Sequence, residues 1–367
     1  MELIKRIHAK TKQDKYITFD DYMDICLYYP DQGYYNNDKI SLNPKNSDFI
    51  TAPEISFLYS KSILNFYMEC KKSKNIENIV EFGAGSGEMA FNILKDMDDD
   101  EIPKKYYILE KSYYLKKQQK IKINKLPKIK KSIVEWIDKI ENIENAFLIA
   151  NEVLDAIPAK IFTKQNDFLF EKVITLKNNK LSLLDIPCND FLSTKIKNIE
   201  NRLGVPFSNN YSSEININYD NWLSDIFKNI SNFIFIVIDY GYSESEFYHQ
   251  ERNKGTIQYY KDHKKLASPL NDPGTFDISV SVDFSRVNRI IKANNLELIA
   301  YTTQSEFLIH NNILNNSSRI TDTIEKQNIL KTLLFPSDMG ENFKMMIFCD
   351  NMNSEFQVSF KDYRHKL

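Results

Sequence analysis

Three of the nine glycines in this chain, Gly83, Gly85 and Gly87, fall within five positions. They follow the apolar run Ile79-Val80-Glu81-Phe82 and precede the helical stretch EMAFNILKDM. Nine glycines in 367 residues is sparse usage, against roughly 7% in ordinary proteins. The cluster therefore marks backbone that other residues would disfavour. A strand, a glycine turn and a helix start present backbone amides and partial positive charge to a ligand. Dinucleotides favour G-x-G-x-x-G, with the pyrophosphate on the helix start. Here the spacing is acidic-x-G-x-G-x-G, and the carboxylate of Glu81 would repel a pyrophosphate. An amino-acid ammonium would instead find a partner there. S-adenosylmethionine carries such an ammonium, with a ribose and an adenine at its other end.

Further carboxylates stand at the ends of other candidate strands. One run ends Tyr107-Ile108-Leu109-Glu110, where Glu110 can accept both ribose hydroxyl protons. A plain strand-end carboxylate in water is the alternative. Another ends Ala150-Asn151-Glu152-Val153-Leu154-Asp155. Ligands of open α/β sheets bind beyond the carboxyl ends of strands, so Asn151, Glu152 and Asp155 would face the cofactor. Two carboxylates so close suit a cationic or hydrogen-bond-donating nucleophile. An ordinary helix cap by Asn151 with an acidic first turn is the alternative. A further run ends Asp239-Tyr240-Gly241, which makes Asp239 and Tyr240 candidates on the substrate side. The five histidines, His8, His249, His263, His310 and His365, show no metal-ligand spacing. No metal is expected, and His263 is the third substrate-side candidate.

The elements that must position these residues are legible in outline. The first 75 residues read as mostly helical, with Thr18 as a cap before FDDYMDICLYY. PDQGYYNNDKISLNPKNSDF reads as a loop. Ile55, Leu58, Tyr59, Ile63, Phe66, Tyr67 and Cys70 trace one face of a long helix with Pro53 in its first turn. Strands are expected at Ile79 to Phe82, Tyr106 to Leu109, Ile129 to Val134, Phe147 to Ala150 and Phe233 to Ile238, alternating early on with helices. DFLFEKVITLKNNKLSLLDI reads as a hairpin turning near Lys177 to Lys180. VDFSRVNRIIKANN then reads as a helix, and LELIAY and FKMMIFC as strands. Four regions follow: a helical extension and cover (1–75), a Rossmann-like core (76–160), an insertion (161–230) and the rest of the sheet (231–367), with a rim insertion at 241–283.

Composition bounds the function classes. Lys+Arg is 48 against Asp+Glu 50, a net charge of −2, which excludes a globally basic nucleic-acid binder. Four scattered cysteines exclude a short-spaced zinc motif and fit a reducing compartment. The longest apolar runs fall far short of the roughly 20 residues of a spanning helix. The opening MELIKRIHAKTKQDKY has no apolar secretion core.

At this point the residues resemble a known family, the MidA-type S-adenosylmethionine-dependent methyltransferases. That family includes the mitochondrial arginine methyltransferase that assists assembly of respiratory complex I. The matching blocks include ITFDDYMDICLYYPDQGYY, DFITAPEIS, EFGAGSGEMA, YYILEKSYYLKKQQ, ANEVLDAIPAKIF, VIDYGY, GTIQYYKDH, DPGTFDISVSVDF, TQSEFL and MGENFKMMIF, in family order over almost the whole chain. The resemblance implies a Rossmann-like sheet of seven strands whose last strand is antiparallel. It implies cofactor contacts at Glu81, Gly83, Ala84, Gly85, Gly87, Glu110 and Asn151. Glu152 and Asp155 would lie beside the methyl group as catalytic carboxylates. The segment Thr51 to Glu54, with Pro53, is implied as a cover over the cofactor. The chain departs from the pattern at Ser47, at Leu58-Tyr59 and at Ser86, where many members carry Arg.

The resemblance implies methyl transfer to a protein arginine, with a subunit of a respiratory complex I-type dehydrogenase as the candidate acceptor. A non-catalytic S-adenosylmethionine-binding assembly factor and a small-molecule methyltransferase are the alternatives. The expected compartment is a bacterial cytoplasm or a mitochondrial matrix, without secretion, nucleic acid or a membrane span.

Overall fold

The apolar runs after residue 76 become strands because turn residues bound each of them and both faces of the sheet are covered. In the computed structural model, which describes residues 2–37, 51–261, 264–351 and 358–367, they belong to a mixed sheet of eight. Its strands are β1 (Asn78–Phe82), β2 (Lys105–Leu109), β3 (Val134–Ile137), β4 (Ile143–Asn151), β5 (Ile230–Tyr242), β6 (Val282–Asp283), β7 (Glu297–Thr303) and β8 (Phe343–Cys349). Seven follow in the order β7-β8-β5-β4-β1-β2-β3, with β6 off this path. The expected seven strands are thus corrected to eight by the two-residue β6. Strands β1 to β5 pair in parallel, and β8 runs antiparallel to both β5 and β7.

Parallel pairing sets the functional rim. Phe82 lies opposite Leu109 and Ala150, and Asn151 lies opposite Ile238. The residues that follow, Gly83, Glu110, Glu152 and Asp239, are therefore carried to one edge of the sheet. Helices Glu88–Asp96 and Tyr113–Ile123 follow β1 and β2. Helix Phe57–Lys74 packs Phe66 and Tyr67 edge-on against Phe147 of β4 at 5.8 and 5.6 Å.

Three local expectations change. Ile129 to Val134 is not one strand: Lys128–Lys131 is a helical turn, and β3 starts at Val134. Three lysines in that turn oppose a buried strand, and Pro127 starts the turn. The long helix is broken as well. Ala52–Ile55 is a separate turn, and Ser56 is extended and caps Phe57–Lys74 by accepting the Leu58 N–H at 3.2 Å. Thr18 does sit at the start of helix Phe19–Tyr28, but its side chain makes no capping bond.

The contacts divide the chain into two units. One comprises Met1–Ile40, Asp155–Asp220 and Tyr242–Asp283; the other comprises Ser41–Leu154, Asn221–Gly241 and Phe284–Leu367. In the first, the hairpin Phe168–Lys177 and Lys180–Pro187 turns at Asn178 and Asn179, both left-handed at φ 52° and 61°, as two-residue hairpins require. The second unit has a buried core that includes Ile79, Tyr106, Ile108, Phe147, Ile149 and Ile236. Among the described residues no helix is long and apolar enough to cross a membrane.

Candidate functional site

The glycine turn is built as its spacing requires. Gly83 continues the ladder by donating its N–H to Leu109 O at 2.9 Å, at a left-handed φ of 58°. A Cβ there would lie 3.3 Å from Val153, so the turn abuts the Asn151–Leu154 segment. Gly87 is left-handed at φ 80° and starts helix Glu88–Asp96 with no side-chain cap. A Cβ on Gly87 would come within 3.2 Å of Gln119 Cγ. Ala84 faces the core, whereas Gly83 is exposed and Gly85 half-buried.

Two carboxylates flank this turn. Glu81 is 1% exposed and accepts the Tyr106 hydroxyl at 2.6 Å. Burial pushes its pKa up to about 7, helped by the charge of Glu110 and opposed by the Tyr106 bond. Glu110 accepts the Ser112 N–H at 2.9 Å and the Gln119 amide at 3.0 Å. Burial raises its pKa, and those two donors oppose the rise. Gln119 also donates to Gly85 O at 2.9 Å, and its oxygen accepts the Trp136 indole N–H at 2.9 Å.

The end of β4 holds a relay of polar groups. The Tyr59 hydroxyl donates to Asn151 Oδ1 at 2.6 Å, and Asn151 Nδ2 donates to Glu152 Oε1 at 3.2 Å. Glu152 is left-handed at φ 53°, a conformation costing a non-glycine residue about 1–2 kcal/mol. Its N–H is fixed on Ile238 O at 2.8 Å. Burial raises the Tyr59 pKa, with the Glu152 and Asp239 charges adding.

Thr51 starts the short Ala52–Ile55 turn without a side-chain cap, and Pro53 is buried. Glu54 accepts the Ser86 hydroxyl. Lys122 donates to Ser86 Oγ at 3.2 Å and to Glu88. Burial pushes the Glu54 pKa up, while the Ser86 bond and the Lys122 charge pull it down. A cation thus reaches position 86 from a neighbouring helix rather than from residue 86 itself.

The substrate-side candidates fare differently. Asp239 is 0% exposed, and its two oxygens accept the Leu154 and Tyr240 N–H groups at 3.0 and 2.9 Å. Both contacts brace the backbone. Tyr240 is half-buried, edge-on to Phe343 at 5.7 Å. His263 lies outside the described residues. Asp155 belongs to the other unit, where its carbonyl accepts Val280 N–H at 3.0 Å and its charge raises the Tyr35 pKa, behind burial and Asp277. The second unit brings together Glu81, the glycines, Glu110, Asn151, Glu152 and Glu54 on one rim. Tyr59, Gln119, Lys122 and Trp136 join them, none of them read as a site residue in the sequence. Gln119 had a signal: it interrupts the buried stripe Leu115–Gln119–Ile123 at four-residue spacing.

The residues fit S-adenosylmethionine. Carboxylates suit its ammonium and its ribose, and the exposed Gly83 and half-buried Gly85 leave the backbone of the turn open to a ligand. Among the described residues no group of three or more His, Cys, Asp or Glu could hold a metal ion.

Comparison with known proteins agrees with this chemistry. Residues 58–302 match the family described as S-adenosyl-L-methionine-dependent methyltransferase. The chain is 25% identical to the mitochondrial protein arginine methyltransferase NDUFAF7 homolog of Caenorhabditis elegans, over 89% of this chain and 82% of that protein. It is 24% identical to the Xenopus laevis NDUFAF7 over 93% and 83% of the two chains. A COG1565 superfamily member from Burkholderia thailandensis, solved bound to S-adenosyl-homocysteine, superposes with a TM-score of 0.92 at 24% identity, covering 100% of this chain and 96% of that one.

Proposed function

The chain belongs to the S-adenosyl-L-methionine-dependent methyltransferase family, and from that premise we propose that it methylates an arginine side chain of a protein. The observation that carries this reading is Glu152. It is a carboxylate held at the rim in a left-handed backbone conformation and tied through Asn151 to Tyr59. A strained non-glycine residue maintained in this way points to function.

When bound, S-adenosylmethionine supplies a methyl group on a sulfonium. The reaction then needs alignment and exclusion of water more than acid–base work. A guanidinium is charged at any ordinary pH, so its nitrogens are poor nucleophiles until a carboxylate draws the charge to one side. Glu152 is assigned that role, and a forked guanidinium suits a carboxylate acceptor. Asn151, fixed by the Tyr59 hydroxyl, holds Glu152 by one oxygen. Glu81 is assigned to the cofactor ammonium and Glu110 to its ribose. Glu54, tied to Ser86, would hold the Thr51–Glu54 cover near the glycine turn. The names of the curated relatives support an arginine acceptor. We extend the reading to a respiratory dehydrogenase subunit in a bacterial cytoplasm or mitochondrial matrix on family resemblance alone.

The test uses methyl-labelled S-adenosylmethionine and a cell extract, followed by hydrolysis and identification of the labelled amino acid. Methylarginine is expected. Label confined to lysine or to small molecules overturns the arginine reading. Binding of S-adenosylhomocysteine without any transfer would identify a non-catalytic binder. Glu152→Gln should keep that affinity within about tenfold, about 1.4 kcal/mol, while transfer is lost.

A further inference from the structure

We propose that Gln119 is the residue that positions Glu110 for the cofactor ribose, clamping that carboxylate to the glycine turn. The inference rests on the assignment of Glu110 to the ribose. Gln119 is 0% exposed in the middle of a Lys- and Gln-rich helix. A buried side-chain amide is costly unless its polar atoms are satisfied, and here both its nitrogen and its oxygen are bonded. The nitrogen donates to Gly85 O at 2.9 Å and to Glu110 Oε2 at 3.0 Å. The oxygen accepts from Trp136 Nε1 at 2.9 Å.

Those partners fix which way the amide faces. An indole N–H can only donate, so the amide oxygen must face Trp136. A carbonyl and a carboxylate can only accept, so the nitrogen must face them. Turning the amide over would break all three bonds. Gln119 therefore acts as an oriented donor. Its two N–H bonds span the cofactor turn and the acidic strand end, which are parts of different loops.

The packing allows little slack. Gly87 lies so close to Gln119 that an added Cβ would sit 3.2 Å from Cγ and 3.3 Å from Cα. From the other side, Ser112 N–H holds Glu110 Oε1 at 2.9 Å. A carboxylate offers about four acceptor directions. Ser112 fills one on Oε1 and Gln119 one on Oε2, the Lys111 backbone adds a further contact, and the directions left over are those open to ribose hydroxyls. Gln119 touches neither ribose nor methyl group in this account; it acts through Glu110.

A chemical cycle tests this. S-adenosylhomocysteine and its analogue lacking the ribose 2′-hydroxyl are titrated calorimetrically into the full-length protein and into Gln119→Met. In the wild type the missing hydroxyl should weaken binding about tenfold or more, as expected for a hydrogen bond to a charged group. In Gln119→Met the natural nucleoside should bind about tenfold more weakly and the analogue nearly as before, so the discrimination collapses. Trp136→Phe, which removes the indole donor and keeps an aromatic ring, should reduce the discrimination partway. Equal weakening of both ligands, with the ratio kept, would make Gln119 a packing residue and overturn the proposal. So would unchanged binding in Gln119→Met. Failure of the wild type to bind S-adenosylhomocysteine would sink the cofactor assignment itself, a result separable from a retained ratio. Thermal melts of both variants, with a cooperative transition as in the wild type, show that the comparison is between folded proteins.

Discussion

Replacing Glu81 by Gln should uncouple cofactor binding from proton release. Glu81 is buried beneath the glycine turn, and its pKa rises from the ordinary 4.5 to about 7. Between those two values the folded protein keeps a proton that the unfolded chain has lost. Stability contributed by this group therefore falls as pH rises through that window, by about 3 kcal/mol in all for a rise from 4.5 to about 7. A bound ammonium reverses the preference and favours the ionised carboxylate. At about pH 6 roughly nine in ten free molecules carry the proton, so binding should release about 0.9 proton; at about pH 8 it should release about 0.1. Affinity should climb by up to about tenfold per pH unit below pH 7 and then level off. Calorimetric titration with S-adenosylhomocysteine in two buffers of different ionisation enthalpy reads the proton count directly. Glu81→Gln should abolish most of the release and flatten the pH dependence. It should also unfold later than the wild type above about pH 7 and alike near about pH 4. Buffer-independent heats in the wild type at about pH 6 would refute the assignment. Full release persisting in Glu81→Gln would move the titration to Glu110.

Three other outcomes follow from contacts described above. Gly87→Ala forces a left-handed φ of 80° on a residue with a Cβ and pushes it against Gln119; it should lower stability by about 1–2 kcal/mol, read from a urea midpoint. Ser86→Ala removes the hydroxyl shared by Glu54 and Lys122. In stopped flow, S-adenosylhomocysteine should leave about tenfold faster, for a loss of about 1.4 kcal/mol, and an unchanged rate would mean that this contact does not retain the ligand. Asp239→Ala orphans the Leu154 and Tyr240 amides beside a fully buried site. It should cost about 2–4 kcal/mol, and unfolding midpoints check it.

The strands that could be read in the sequence were those with continuous apolar runs, Ile79 to Phe82 and Phe233 to Ile238, because burial on both faces leaves little else for them to be. Ile129 to Val134 misled because Ile129, Ile133 and Val134 look like a strand, although Lys130, Lys131 and Ser132 interrupt them. Lys130 instead buries its stem and donates to Met97 O at the end of a helical turn. The break at Ser56 was hidden because its neighbours on both sides follow helical spacing, and only the extended conformation of Ser56 separates them. In the site, glycines and strand-end carboxylates declare themselves by type and position. Their supports do not. Tyr59 looks like one more core aromatic until its hydroxyl is found on Asn151. Asp239 shows the converse: its place at a strand end suggested substrate, and the structure adds a bracing role, one backbone amide on each oxygen, that the sequence does not announce.

The division of the chain bears on how the protein can be made and changed. Each unit is assembled from three separate stretches, and the border at Leu154/Asp155 falls inside the segment NEVLDAIP. Neither unit can be obtained by cutting the gene once, or grafted as a cassette into another protein. On the ribosome the first unit lacks its last stretch until Asp283 has been made, and the second lacks its own until after that. Until residues 230–242 are made β4 lacks its partner β5, and an emerging chain leaves that apolar edge unpaired, a state that invites aggregation and chaperone binding. Truncated forms, whether from premature stops or proteolysis, should be cleared rather than accumulate as partly active fragments.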